Sequence, residues 1–262
     1  MSTIVNSHSG GGPVKIKILN ILALGVVLLV NTLATTGTLG GVSTGELSDS
    51  YPSLFTPAGY VFGIWGLIYT LLVAFVIYQV LPGRNDPRLE RLGYLFALSC
   101  LFNSAWIFAW QYQQILLSWL LMLGILATLI RCYQILGGGR IRLSRLEDWT
   151  TRLPFSIYLG WITVATIANT TVLLLSIGFT GGSLAPLFTL LVIAAAVGIG
   201  YLSLRWRGDR AFNLVLLWAF VGIAVKQWGA QPMVTTAALI AAVITIAALT
   251  RGGGIPQAET TA

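Results

Sequence analysis

The chain has 262 residues, of which 56% are hydrophobic and only 9% are charged. A soluble domain usually carries about 25% charged residues, so this chain could not cover a water-soluble surface. The net charge of +7 comes from basic residues in short gaps between apolar runs, a pattern that argues against a nucleic-acid partner. The composition therefore predicts an all-α, polytopic protein whose main partner is the lipid bilayer.

Apolar runs define the predicted spans, because a helix that crosses a bilayer needs about 20 mostly apolar residues. Eight runs qualify, at residues 18–39, 58–81, 92–112, 115–136, 153–177, 184–204, 211–227 and 233–250. Such long runs are poor barrel strands, which would alternate between polar and apolar residues. The tails at residues 1–14 and 252–262 are rich in Gly, Ser and Thr, and we expect them to be disordered.

The first span has two interpretations. Lys15 and Lys17 precede its apolar stretch and small residues follow at 34–37, which is also the order found in a cleaved signal peptide. The apolar part is long for that purpose, so we predict a retained helix and keep the signal peptide as the alternative.

Basic residues lie in alternate loops along the whole chain. They precede the first span, lie near the end of the fourth, or follow the even-numbered spans, at Lys15, Lys17, Arg84, Arg88, Arg91, Arg131, Arg140, Arg142, Arg145, Arg152, Arg205, Arg207, Arg210 and Arg251. The other loops carry none, except for Lys226 at the end of the seventh span, which we expect to snorkel to the headgroups unless it serves a ligand. The positive-inside rule then predicts both termini in the cytoplasm, and we expect a bacterial cytoplasmic membrane.

Polar side chains within the spans are candidates either for hydrogen bonds between helices or for a binding cavity. Asn31, Asn103 and Asn169 are of this kind. No Asp or Glu lies within a predicted span, which weighs against a proton-coupled transporter. Cys100 and Cys132 lie in apolar runs and are expected as reduced thiols. The residues offer no metal cluster and no catalytic triad, so an enzyme is not expected.

Nine tryptophans are many for this length. Trp149, Trp206 and Trp228 lie near span ends and indicate an interfacial belt. Other aromatic residues lie within the second, third and fifth spans, at Tyr60, Phe62, Trp65, Tyr69, Trp106, Trp110, Tyr158 and Trp161. They could be core packing, or they could form the walls of a cavity for a flat apolar ligand.

Three short motifs carry a resemblance. Residues 55–63 read F-T-P-A-G-Y-V-F-G, residues 103–106 read N-S-A-W, and residues 161–169 read W-I-T-V-A-T-I-A-N. They resemble the W-x-P-P-x-W-x-F-G, N-x-x-W and W-x-x-x-A-T-x-x-N motifs of the translocator-protein family, also called the tryptophan-rich sensory proteins. Because this likeness covers about residues 15–176, we predict a five-helix family unit at residues 15–177. Residues 178–251 would then form a three-helix extension.

The resemblance implies a ligand pocket among the first, second, third and fifth spans, capped by the loop after the first. Members of the family bind porphyrins such as haem and protoporphyrin, and some bind sterols. By position, the ligand-binding residues would be Tyr60, Phe62, Trp65, Tyr69, Asn103, Trp106, Trp161 and Asn169, with Pro57 and Gly59 shaping the entrance. A porphyrin or haem is thus a candidate ligand, no cofactor is expected to be required, and a homodimer is a candidate assembly. Phe55 and Tyr60 replace family tryptophans, which argues against the light-dependent porphyrin breakdown of some bacterial members.

We expect a membrane receptor or sensor that binds a porphyrin-like or other apolar small molecule in an aromatic-lined pocket. The alternative is a small-molecule transporter that uses the three extra helices. An internal repeat would favour transport, but the aromatic signature of the second span has no counterpart after residue 184.

Overall fold

The computed structural model describes residues 12–84, 86–137 and 143–251. The predicted tails lie outside these ranges, apart from residues 12–14, and so do Arg140 and Arg142. Every regular element within the described ranges is helical, and eight of the helices are long and apolar enough to cross a membrane. The predicted fold class and number of spans are confirmed, while the orientation of the termini stays a prediction.

The spanning helices are α1 (Gly12–Thr35), α3 (Ile64–Val80), α4 (Pro87–Gln111), α5 (Ile115–Ile135), α7 (Leu153–Ser176), α8 (Ala185–Arg207), α9 (Arg210–Gln227) and α10 (Pro232–Arg251). Two short helices lie between them, α2 (Thr44–Asp49) and α6 (Arg145–Glu147). A 3-10 turn at Gly59–Gly63 leads into α3, a π-helical turn at Asp148–Arg152 joins α6 to α7, and a second 3-10 turn at Gly182–Leu184 precedes α8.

Several helix ends differ from the prediction, among them the start of α1 at Gly12 and the start of α3 at Ile64, and two differences have a clear local cause. Helix α1 ends at Thr35, before the predicted end at residue 39, because Gly37 adopts a left-handed conformation with φ +72°. Helix α4 begins at Pro87, before the predicted start at residue 92. The Asp86 carboxylate caps it by accepting a hydrogen bond from the Arg88 N–H, and proline is well suited to the first helical position.

Helix α7 lies at the centre of the packing, in contact with α3, α5 and α9. Helix α4 packs between α1 and α5, and α9 packs against α8 and α10. Phe75, Phe96 and Phe155 meet edge to face, with 5.1 Å between the ring centroids of Phe75 and each of the other two, and lock α3, α4 and α7 together. The last three helices therefore join the first five mainly through the contact of α9 with α7.

The outer surface of the bundle is apolar. Leu22, Leu29, Leu101 and Val243 are each more than 60% exposed, at 62%, 61%, 64% and 64%. A soluble monomer rarely exposes apolar surface on this scale, whereas lipid chains cover it without cost.

Basic side chains collect at one end of the bundle, because successive spans run in opposite directions across it. Arg88 pairs there with Asp86 at 2.6 Å, and this hydrogen bond holds the pKa of the Asp86 carboxyl below its usual value. At the opposite end, Lys226 is the single Lys or Arg of the described residues.

Candidate functional site

Trp65, near the start of α3, is the centre of an aromatic cluster. Its ring stacks on Tyr69 at 5.4 Å between centroids and lies 6.3 Å from Trp106. It also meets Trp161 edge to face at 6.2 Å and Tyr158 at 5.9 Å. Helices α3, α4 and α7 thus converge on one indole, and the aromatic residues of the second, third and fifth spans form one cluster.

The inner cavity is the space enclosed by Phe62, Trp65, Trp106, Trp110, Trp161 and Asn169 beneath helix α2. Its free volume is about 30 Å³, enough for one or two water molecules and too small for a macrocycle. A larger ligand could reach this space only if aromatic side chains moved.

Unpaired polar atoms surround the inner cavity. The indole nitrogens of Trp106 and Trp161 and the Oδ1 atom of Asn169 are buried and have no hydrogen-bond partner among the described residues. The other end of the Asn169 amide is satisfied, because its Nδ2 donates to Ser118 Oγ at 3.0 Å. A buried polar atom without a partner costs about 1–3 kcal/mol, so a ligand that supplied acceptors to the two indoles would recover this energy.

The outer crevice lies between α1 and α3 and is far larger, at about 530 Å³. It shares Thr44, Phe62 and Trp65 with the inner cavity, and it also takes in Asn31 and Tyr69. This volume falls within the range of small-molecule sites, roughly 300–1,000 Å³. The two spaces therefore lie side by side and share a wall at Thr44, Phe62 and Trp65.

Glycines keep the outer crevice open. Gly63 and Gly66 line it from the α3 side, and a Cβ added at either would meet no heavy atom within 4 Å. Among the described residues, no Lys, Arg, Asp or Glu lines the crevice or the inner cavity. The site therefore suits an uncharged, largely apolar molecule with hydrogen-bond acceptors.

A buried relay of polar side chains supports the wall of the crevice. Asn31 Nδ2 donates to Asn103 Oδ1 at 2.9 Å, and Asn103 Nδ2 donates to the Tyr158 hydroxyl at 3.0 Å. The relay joins α1, α4 and α7. Helix α1 takes part in this relay and packs on α3 and α4, while the choice between a retained helix and a signal peptide stays a prediction.

The lid loop (residues 36–58) covers the site and is fixed at its first end by Gln111. The Gln111 amide donates to the carbonyl oxygens of Leu39 at 2.7 Å and Val42 at 2.8 Å. Gly40, with φ +82°, passes so close that a Cβ there would lie 3.0 Å from Gln111 Cβ. The glycine is needed both for the backbone conformation and for the close approach.

Helix α2 within the lid loop is held by a capping box. The Ser43 N–H donates to the Glu46 carboxylate at 2.7 Å, and the Glu46 N–H donates to Ser43 Oγ at 3.2 Å. The first of these bonds lowers the pKa of Glu46 below its usual value. On the inner side, Trp110 Nε1 donates to the Thr44 carbonyl at 3.4 Å, which ties the lid loop to the aromatic wall.

The far end of the lid loop is held by α9. Lys226 Nζ forms an ion pair with Asp49, and Gln227 Nε2 donates to the Leu54 carbonyl at 3.2 Å. The Ala58 N–H donates to the Gly222 carbonyl at 3.1 Å. Lys226 thus binds the lid loop rather than standing free at the headgroups.

The predicted site residues fall into three groups. Phe62, Trp65 and Tyr69 line the outer crevice with Gly59, while Trp106, Trp161 and Asn169 line the inner cavity with Pro57. Asn103 lines neither space and acts in the relay. Tyr60 also lines neither: it packs edge to face on Trp218 of α9 at 5.3 Å, because its position in the 3-10 turn directs it away from Trp65.

Among the residues in or beside the site that the predicted set does not include, three carry polar or aromatic groups within the spans. Trp110 lines the inner cavity one helical turn after Trp106, and this spacing was the available signal. Asn31 lines the crevice and Tyr158 ends the relay. Both stood out in the sequence as polar or aromatic residues within a span.

Fold and site together define a class: a polytopic membrane protein with a tryptophan-walled cavity beneath the lid loop. A family model described as TSPO-like protein matches residues 17–251, and the chain belongs to this family. The match includes the last three helices, which the motifs alone had set apart as an extension. No curated protein and no solved structure matches the chain.

Proposed function

We propose that this protein is a membrane receptor or sensor that binds an apolar, aromatic small molecule between α1 and α3, with its polar acceptors toward the tryptophans. The observation that carries the proposal is the pairing of a 530 Å³ crevice with the unpaired indole nitrogens of Trp106 and Trp161. The family's porphyrin ligands, protoporphyrin and haem, are the first candidates. A bacterial cytoplasmic membrane with both termini inside belongs to the same proposal.

The charge of the site makes the porphyrin proposal more specific. Neither space has a cationic lining residue, and Lys226 is already paired with Asp49. Porphyrin propionates would therefore have to stay at the mouth, in water or among headgroups. We expect the dimethyl ester of protoporphyrin, which has no such charge, to bind at least as tightly as the diacid.

The test is a titration of intrinsic tryptophan fluorescence in lipid nanodiscs with both forms of protoporphyrin, against empty nanodiscs. We expect saturable quenching at micromolar ligand and weaker binding in Trp161→Phe and Asn169→Ala. Trp149→Phe is the matched control, because Trp149 is 59% exposed and lies at the other end of the bundle. Absence of quenching by both forms would exclude porphyrins, and equal affinity in all three variants would place the ligand elsewhere.

The transporter alternative has less support. Neither the inner cavity nor the outer crevice is lined by a residue of α8, α9 or α10. A transport path through the extra helices would have to use space other than the aromatic site.

A further inference from the structure

A second cavity, here called the basic cleft, lies at the end of the bundle away from the lid loop. It has a volume of about 260 Å³ and is lined by residues that include Tyr133, Arg152, Ser156, Arg207 and Arg210. The end of α5, the π-helical turn before α7 and the turn between α8 and α9 meet there. The aromatic site does not use this cleft.

Two of the arginines in the basic cleft have no ion-pair partner among the described residues. Arg152 pairs with Asp148, but neither Arg207 nor Arg210 forms an ion pair with an acid of the described residues. Asp209 also lines the cleft and uses its Oδ1 atom to cap α9, accepting from the Phe212 N–H at 3.0 Å. Three arginines against two aspartates leave one net positive charge.

Buried polar atoms in the basic cleft also lack partners. Tyr133 is 7% exposed, and its hydroxyl lies close to the Asp209 carboxylate without forming a hydrogen bond of good geometry among the described residues. Oδ2 of Asp209, which is 9% exposed, likewise has no hydrogen-bond partner among them. The cleft therefore offers arginine and hydroxyl donors for an anion beside one acceptor for a hydroxyl group.

The depth of the basic cleft fits lipid headgroups. Trp149 and Trp206, which directly follow and precede cleft residues in the chain, are 59% and 58% exposed. Exposed tryptophans at helix ends typically lie at the headgroup level. Basic clefts between spanning helices at this level are suited to headgroup phosphates, because arginine donates to phosphate oxygens in paired geometry.

We propose that the basic cleft binds a phosphodiester headgroup with free hydroxyls, as in phosphatidylglycerol. The phosphate would take the donors of Arg207, Arg210 and Tyr133, and a glycerol hydroxyl would donate to Asp209 Oδ2. A single net positive charge suits a singly charged phosphodiester better than a dianionic free phosphate. The shared chemistry is nevertheless phosphate, so the test separates the two sources.

The experiment measures the thermal unfolding midpoint of the full chain in detergent micelles with added phosphatidylglycerol, phosphatidylcholine or inorganic phosphate at constant ionic strength. We expect phosphatidylglycerol to raise the wild-type midpoint by several degrees over phosphatidylcholine, because a ligand that binds only the folded state stabilises it. The double variant Arg207→Gln/Arg210→Gln should lose this difference, and Tyr133→Phe should reduce it. Arg205→Gln, whose side chain is exposed and outside the cleft, should keep it.

Each outcome decides the proposal. Because the readout is the difference between lipids, a variant that is merely less stable still reports on binding. A shift caused by inorganic phosphate and lost in the double variant would support the cleft with free phosphate as the source. A shift that persists in the double variant, or no shift with either phosphate source, would overturn the proposal.

Discussion

Replacing Gly66 by leucine should fill the outer crevice without straining the helix that carries it. A Cβ at this position meets nothing within 4 Å, and the residue lines the crevice from α3. Leucine also has a higher helix propensity than glycine, by roughly 0.8–1 kcal/mol in model helices. We therefore expect the folded protein to be as stable as the wild type or slightly more so.

The effect on ligand binding follows from the apolar contact that the leucine displaces. If two or three methylene equivalents of ligand surface lose their place, the loss is about 2 kcal/mol at roughly 0.8 kcal/mol each. This corresponds to a dissociation constant about 30-fold weaker. The measurement is the fluorescence titration with protoporphyrin dimethyl ester in nanodiscs, beside a thermal melt of each protein.

Gly198→Leu provides the matched control for this substitution. Gly198 lies on α8, its Cβ would also meet nothing within 4 Å, and it lines neither part of the site. We expect its affinity to equal that of the wild type. If Gly66→Leu kept both its fold and its affinity within twofold, the outer crevice would not be the ligand site.

Further predictions concern the lid loop. Lys226→Met and Asp49→Asn should each speed ligand release in stopped-flow fluorescence, and the double-mutant coupling should be about 0.2–1 kcal/mol because the pair is partly exposed; independent effects would contradict the ion pair. Gly222→Ala should lower the thermal midpoint, at a cost of about 1–3 kcal/mol for overpacking, because its new Cβ would overlap Val61; an unchanged midpoint would refute this close packing. The capping of α2 should survive mild acid, because the pKa of Glu46 is lowered, so its contribution is lost only as pH falls through that lowered value. Loss of the cap at low pH should speed ligand release, and Glu46→Gln should remove this pH dependence of the release rate. The same pH profile in Glu46→Gln and the wild type would contradict the prediction.

The number of spans was predictable because lipid leaves the chain few choices. In hydrocarbon the backbone must satisfy its own hydrogen bonds, so apolar length alone defines a helix. The helix ends differ from the ends of the apolar runs because of local capping. The left-handed Gly37 follows the end of α1, and the cap at Asp86 starts α4 before its apolar run begins. A hydropathy profile does not predict either of these helix ends. Gly37 is nevertheless a residue type typical of a helix end, and the Asp86–Pro87 pair is typical of a helix start.

The aromatic wall was predictable from motifs, but the shape of the site was not. Trp106 and Trp161 belong to two of the motifs and Trp65 lies just after the third, and the three rings meet because they lie on converging faces of α3, α4 and α7. Tyr60 was predicted to line the pocket but packs on Trp218 of α9 instead. It lies in a 3-10 turn, which has three residues per turn, and this rotates its side chain toward α9. The outer crevice depends on the absence of a side chain at Gly66, a position that lies outside all three motifs.

The contacts between the lid loop and α9 could not be read from the sequence at all. Lys226 and Asp49 are 177 residues apart, and Gln227 reaches the Leu54 carbonyl across 173 residues. Only the packing of α9 on α7 brings these groups together. The lone basic residue at that end of the bundle was a visible anomaly in the charge pattern, and its partner explains it.

Helix α9 holds the lid loop in place but does not line the site. The rate of ligand exchange and the contacts with the bound ligand should therefore depend on different residues. The side chains and backbone of α9 hold the lid loop at Asp49, Leu54 and Ala58, while no residue of α9 lines the inner cavity or the outer crevice. Changes at the α9 contacts should therefore act on the rate of ligand exchange, whereas changes at Gly66 or Trp161 should act on contacts made with the bound ligand. If Lys226→Met altered equilibrium affinity as strongly as Gly66→Leu without faster release, α9 would have to shape the site directly.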